Sequence, residues 1–161
     1  MQIPEPQAEH RWLQRLIGEW TYESECEMGP GQPPMKTSGR ESVRALGPLW
    51  TIGEWTGEAP GGGSSRSIMT LGYDPAQQRF VGTFLTDMMT HLWPYLGTLD
   101  ANGRVLTLNS TGPSFSGDGT LAQYQDLIEF VNDDERMLTS QVQGPDGQWT
   151  RFMSARFRRQ K

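Results

Sequence analysis

The sequence predicts an all-β chain, an antiparallel up-and-down barrel of about ten strands behind one short helix, and three observations carry that expectation. From Gly18 onward the hydrophobic period is 2, most plainly in Glu19 to Met28, where odd positions are Glu or Thr and even ones are Trp20, Tyr22, Ser24, Cys26 and Met28. Successive strand side chains point to opposite faces, so such alternation fits a wall with one wet and one dry side. Turn-forming clusters recur at the spacing of a meander, and only one segment has a helical stripe.

Residues 1–8, with Pro4 and Pro6 and few apolar side chains, are expected to be a flexible lead-in, and 9–161 a single domain. In 9–17 the residues Trp12, Leu13, Leu16 and Ile17 form one stripe opposite Arg11, Gln14 and Arg15, and Gly18 ends the helix. The predicted strands are 18–28, 36–46, 49–58, 65–73, 79–87, 90–99, 105–111, 123–132, 136–144 and 149–159. They are separated by Gly29 to Pro34, Gly47-Pro48, Pro60 to Gly63, Asp74-Pro75, Asp100 to Gly103, Asn132 to Asp134 and Gly144 to Gly147. Asn102-Gly103 and Asp146-Gly147 suit tight hairpin turns. Since Gly18 leaves no slack, the helix is expected to plug the end where the first strand starts, with Trp12, Leu16 and Ile17 buried. The long linkers 28–35, 60–64 and 111–122 then fall at the opposite, open mouth, where 111–122 would be a lid.

Composition narrows the function. Fourteen Lys and Arg against nineteen Asp and Glu leave a net charge of −5, which disfavours nucleic acid and anionic lipid as partners. The single cysteine, Cys26, excludes an internal disulfide framework and multi-cysteine metal sites. With only His10 and His91, no histidine-rich metal site is expected, and no cofactor is. Pro60 to Ser65 lacks the Gly-Lys-Ser/Thr ending of a phosphate loop. The start, without a basic and then apolar leader, predicts a cytoplasmic protein, and both monomer and homodimer stay open.

A helix leading into Gly18-x-Trp20 at the first strand of a meander resembles the lipocalin and fatty-acid-binding superfamily, the calycins. In lipocalins a late Arg packs over that Trp, which makes Arg156 and Arg158 the candidates here. The segments His10 to Leu13, Gly18 to Tyr22, Pro33 to Lys36, Pro60 to Gly63, Ile68 to Pro75, Met88 to Trp93 and Gly112 to Phe115 resemble a bacterial family catalogued as domain of unknown function 1579. That resemblance implies a lipocalin-like barrel and no agreed activity.

The inward set is Met-rich and aromatic but punctuated by polar groups, so the leading expectation is a barrel that binds a small, largely apolar, hydrophobic or aromatic molecule, one that can carry a carboxylate. The expected walls are Trp20, Tyr22, Met28, Trp50, Met69, Phe84, Met89, His91, Trp93, Tyr124 and Phe130, with His91 and Arg151 as polar anchors. Met89, His91, Trp93 and Tyr95 share one strand face. The rival expectation is a cofactor-free isomerase, decarboxylase or hydrolase. In it Glu54 is acid or base, His91 its partner, and Tyr22 or Tyr124 the hydrogen-bond donor, with Asp126 replacing Glu54 if that residue points outward. Glu54 shares a face with Trp50 and Ile52, and Trp55 lies on the other. A third alternative is haem held by His91, by analogy with nitrobindin barrels, although their histidine lies near the chain's end and none does here.

Overall fold

A computed structural model describes residues 1–161. One helix, α1 (Ala8–Gln14), precedes ten strands: β1 (Gly18–Cys26), β2 (Met35–Leu46), β3 (Trp50–Glu58), β4 (Ser64–Asp74), β5 (Arg79–Thr86), β6 (Trp93–Leu99), β7 (Val105–Pro113), β8 (Leu121–Asn132), β9 (Glu135–Gln143) and β10 (Trp149–Arg159). Each strand pairs antiparallel with the next, and β10 pairs with β1, so the sheet closes into an up-and-down barrel with no free edge. Most predicted strand limits fall within two residues of the observed ones. The sixth strand starts at Trp93 instead of 90, because Asp87 to Leu92 form the turn, and α1 stops at Gln14.

The helix stoppers the predicted end. Trp12, Leu13 and Leu16 are buried and Ile17 partly so. Trp12 Nε1 donates to the Gly103 carbonyl at 2.6 Å, and its ring meets Phe80 and Phe130 edge to face, with centroids 6.2 and 5.4 Å away. His10 accepts the Gln7 N–H on Nδ1 at 2.9 Å, so Nε2 carries the proton that faces the Tyr73 carbonyl at 3.0 Å. These contacts tie α1 to the β4–β5 and β6–β7 ends.

The junction of helix and barrel is locked by an arginine, and it is neither Arg156 nor Arg158. Those two lie on the outer face, since β10 alternates and Arg156 pairs with Glu135 at 3.2 Å. Arg159 instead lays its guanidinium 4.3 Å from the Trp20 ring centroid and donates to the carbonyls of Ile17 and Arg15, at 2.6 and 2.8 Å. From the last residue of β10 it thereby satisfies carbonyls left open by the end of α1. Gly18, at φ +138°, suits this junction because that backbone conformation strains any other residue, and a Cβ there would also displace the Arg159 guanidinium.

Seventeen buried hydrophobic residues form one core, including Trp12, Leu13, Leu16, Trp20, Leu71, Phe80, Leu106, Leu108, Ile128, Phe130, Leu138 and Phe157. The side chains from α1 and from the strand ends beside it gather at the stoppered half. The other half of the lumen is lined differently.

Candidate functional site

Strand register decides which residues enter the lumen. Val43, Gly53, Met69, Phe84 and Trp93 stand in one row across β2 to β6, and Trp20, Glu41, Trp55 and Ser67 in the row beside it. On β3 the inward set is therefore Thr51, Gly53, Trp55 and Gly57, while Trp50, Ile52 and Glu54 face out. This corrects two expectations. Trp50 is 41% exposed, its ring lying on the outer side of Gly72, and Glu54 is a surface carboxylate 3.9 Å from the exposed Arg44. Two inward positions of β3 are glycine because large neighbours need the room: a Cβ on Gly53 would collide with the Glu41 carboxylate and one on Gly57 with the Tyr22 hydroxyl.

Three more expected wall or anchor residues lie elsewhere. Met28 is exposed beyond the end of β1, and Met89 is exposed in the β5–β6 turn, where its sulfur accepts from Trp93 Nε1 at 3.0 Å. Arg151 is exposed because a bulge between Arg151 and Met153 breaks the alternation: Arg151 pairs with outward Gln141, whereas Met153 pairs with inward Ser140. Trp20, Met69 and Phe130 do point inward, but as members of the packed core.

The open half, or cup, is the end of the lumen away from α1. Its inward side chains Trp55, Phe84, Trp93, Phe152 and Met153 are only half-buried, although they sit inside a closed wall. Phe84 and Trp55 meet with centroids 6.0 Å apart, and Trp93 meets Tyr124 at 4.9 Å. Tyr124 is buried, and its hydroxyl donates to the Pro113 carbonyl. Phe115, 68% exposed in the β7–β8 loop, leans over the rim onto Phe152 at 5.0 Å and Tyr124 at 5.7 Å. That loop is shorter than the expected lid: strand pairing continues to Pro113 and resumes at Leu121, opposite each other. Within it Asp118 accepts from Thr120 and Ser116, which holds its carboxyl down at about 2.

Two polar groups stand out in the lumen. Glu41 of β2 and Arg136 of β9 form an ion pair across three strand intervals, with Arg136 only 2% exposed between the rings of Trp20 and Phe157, at 4.5 and 4.1 Å. Trp55 Nε1 donates to the second Glu41 oxygen. Burial pulls Arg136 below its ordinary value, and Glu41 opposes that shift.

The second group is Asp126 on β8, with Tyr95 of β6 donating to Oδ2 and Ser140 of β9 donating to Oδ1, the latter at 2.5 Å. Burial raises the Asp126 pKa, and the two hydroxyl donors hold it back; burial, then Asp126, pushes Tyr95 well above its ordinary value. Asp126 points inward by strand register and is partly buried, while Tyr95 and Ser140 are buried.

His91 lies at the rim, edge-on to Trp93 at 4.6 Å, with Nε2 donating to the Thr111 carbonyl at 3.0 Å. It makes no hydrogen bond to Glu54 or Asp126, so the expected acid–base pairs do not assemble, and ligation of haem iron through Nε2 would break the bond to Thr111. The sequence reading missed Glu41, Arg136, Ser140 and Arg159. A weak signal existed for Glu41 alone, two residues before Val43 on the same strand face.

A closed antiparallel wall, stoppered by a helix at one end and lined at the other by half-buried aromatic rings, defines the class of single-lumen up-and-down β-barrels. Within that class, the chain belongs to the family described as protein of unknown function DUF1579, which it matches over residues 5–159. No curated protein matches it. Among solved structures it is similar to Rv2717c from M. tuberculosis, 14% identical with a TM-score of 0.66, over 98% of this chain and 100% of that one. It is also similar to the S-type phycobiliprotein lyase CPES from Guillardia theta, 14% identical with a TM-score of 0.60, over 96% and 94% of the two chains. A third likeness, to EF1p2_mFAP2b bound to DFHBI, has 14% identity and a TM-score of 0.51 over 94% and 98%. At such identities these likenesses show the fold alone. No helix is long and apolar enough to cross a membrane.

Proposed function

We propose that the protein binds a small, largely apolar molecule in the cup between the packed core and the β7–β8 loop. One observation carries this reading: the lumen is divided, with fully buried side chains around α1 and half-buried Trp55, Phe84, Trp93 and Met153 toward the mouth. A barrel evolved only to be filled would bury those rings fully, since interiors pack to crystal density. Aromatic and Met walls with a few fixed polar groups are the usual lining of a small-molecule site. Two of the similar barrels lend support from their names, one bound to DFHBI and one a phycobiliprotein lyase.

The same geometry favours binding over catalysis. Tyr95 and Ser140 spend their hydroxyl protons on Asp126, so neither is free to donate to a developing charge on a substrate. The test is native mass spectrometry of protein purified from its host, followed by thermal-shift titration with a panel of fatty acids and aromatic acids, alcohols and amines. A copurifying ligand, or a panel member that raises the melting temperature with concentration, is the expected outcome. A panel without effect, on protein that carries nothing, would mean a barrel that merely packs.

A further inference from the structure

The charges inside the barrel do not balance. By strand register the carboxylates and guanidinium groups that point inward are Glu41, Asp126, Arg136 and Arg159. Glu41 and Arg136 compensate each other, and Arg159 is spent at the stoppered end on three carbonyls and Asp134. Asp126 has hydroxyl donors and no cation: none of the eight ion pairs of the protein includes it. When ionised, it is the one uncompensated charge in the lumen, and each of its oxygens keeps a lone pair beyond the one bonded to Tyr95 or Ser140.

A second observation lies one strand away. Ser110 of β7 points into the lumen, is 7% exposed, and its hydroxyl has no hydrogen-bond partner. Ser110 pairs with Tyr124 and Leu108 with Asp126, so Ser110 and Asp126 are diagonal neighbours on one face. Such neighbours stand about 7–8 Å apart, within reach of a group placed between them. An orphaned buried hydroxyl costs free energy unless something completes it. Aromatic side chains flank the pair: Tyr95 is bonded to Asp126, and Tyr124 stands two residues along β8.

Resting on the reading of the cup as a ligand site, we propose that its occupant is an amine: an apolar or aromatic body with one cationic nitrogen, held between Asp126 and Ser110. An ammonium brings several N–H donors to two waiting acceptors and supplies the missing positive charge. A carboxylate-bearing ligand, the sequence-based expectation, would meet Asp126 with like charge and no inward cation free to offset it, because Arg151 lies outside the wall.

Tryptamine, tryptophol and indoleacetate carry one ring system with a cationic, a neutral and an anionic head, and calorimetric titration of the full chain with each tests the proposal. Tryptamine is expected to bind roughly tenfold or more tighter than tryptophol, with indoleacetate weakest. Asp126→Asn should remove that preference while leaving tryptophol within about twofold, and Ser110→Ala should weaken tryptamine several-fold without lowering the melting temperature of the free protein. Should Asp126→Asn fail to fold, Ser110→Ala and the three-ligand comparison still decide. If tryptophol or indoleacetate binds as tightly as tryptamine, or Asp126→Asn keeps the preference, the amine assignment is overturned while the cup stands. If nothing in this trio or the wider panel binds, the cup itself is withdrawn.

Discussion

Arg136 shows what a buried charge demands of its surroundings. It is held between two aromatic faces and bonded to Glu41, yet its Nε has no partner, so the pair is compensated without being fully satisfied. Removing one member should therefore cost far more than removing both. Arg136→Met is expected to destabilise the protein by about 3–5 kcal/mol, because Glu41 would be left buried with only the Trp55 N–H. Glu41→Gln combined with Arg136→Met, which leaves Trp55 an amide acceptor, should recover more than half of that loss. Urea unfolding of the wild type and both variants checks this, and equal losses would contradict it.

Asp126 makes a prediction with the opposite dependence on ionisation. Its folded pKa is raised, mainly by burial, with Tyr95 the titratable group bonded to it. The native state therefore holds this proton more tightly than the unfolded chain, whose carboxyl titrates near 3.9. Stability from this group is present below that value and declines as pH rises through the folded pKa, then stays level. The melting temperature of Asp126→Asn minus that of the wild type should accordingly rise with pH across that window. Using the difference cancels the contrary slopes of Asp74, Asp100, Asp118 and Asp134, whose pKa values are lowered. A difference independent of pH would place Asp126 in a solvated environment.

At the scale of elements, α1 and the β7–β8 loop close opposite ends with unlike consequences. Trp12 fills the space between Phe80 and Phe130 and supplies a hydrogen bond to Gly103, so Trp12→Ala should cost about 3–5 kcal/mol. Residues 114–120 bond mainly to one another, and Phe115 is their contact with the cup rings. Replacing 114–120 by a tight turn is expected to leave the unfolding midpoint nearly unchanged and to speed ligand exchange at the mouth. A loss as large as that of Trp12→Ala would make the loop part of the core.

Strand positions were legible in the sequence because turns and alternation act locally, as the close agreement of β1, β3, β7 and β10 at their starts shows. Which face of a strand enters the lumen was legible only where one face is plainly apolar, as on β1. On β3 both faces carry a Trp, and the choice depends on Tyr22 and Glu41 needing the room left by Gly57 and Gly53, which is a tertiary fact. Arg151 was misplaced for a related reason: a bulge adds one residue and reverses parity, with no local signal. Asp126 could be marked as a carboxylate among apolar neighbours, but its bonds to β6 and β9 depend on curvature that brings distant residues together.

At the scale of the whole molecule, closure of β10 on β1 makes the sheet continuous, yet its two ends are stabilised unequally. The slowest amide exchange follows the largest cooperative opening, and local openings follow poor burial. Amides of Leu106, Leu108, Leu138 and Phe157, whose side chains are at most 2% exposed, should exchange only with global unfolding. Those beside the cup, around Phe84, Trp93, Val142 and Met153, should exchange through smaller openings, since their side chains are only partly buried. Both groups share one hydrogen-bonded sheet, so a gradient along the barrel axis would report packing inside the lumen and not strand pairing. Ligand saturation should then slow exchange at the cup and leave the stoppered half unchanged until global stability itself rises by linkage. Hydrogen exchange read by mass spectrometry, with and without a ligand found by thermal shift, resolves the two halves. Equal protection at both ends without ligand would mean a lumen packed throughout, and the cup would lose the observation on which its function rests.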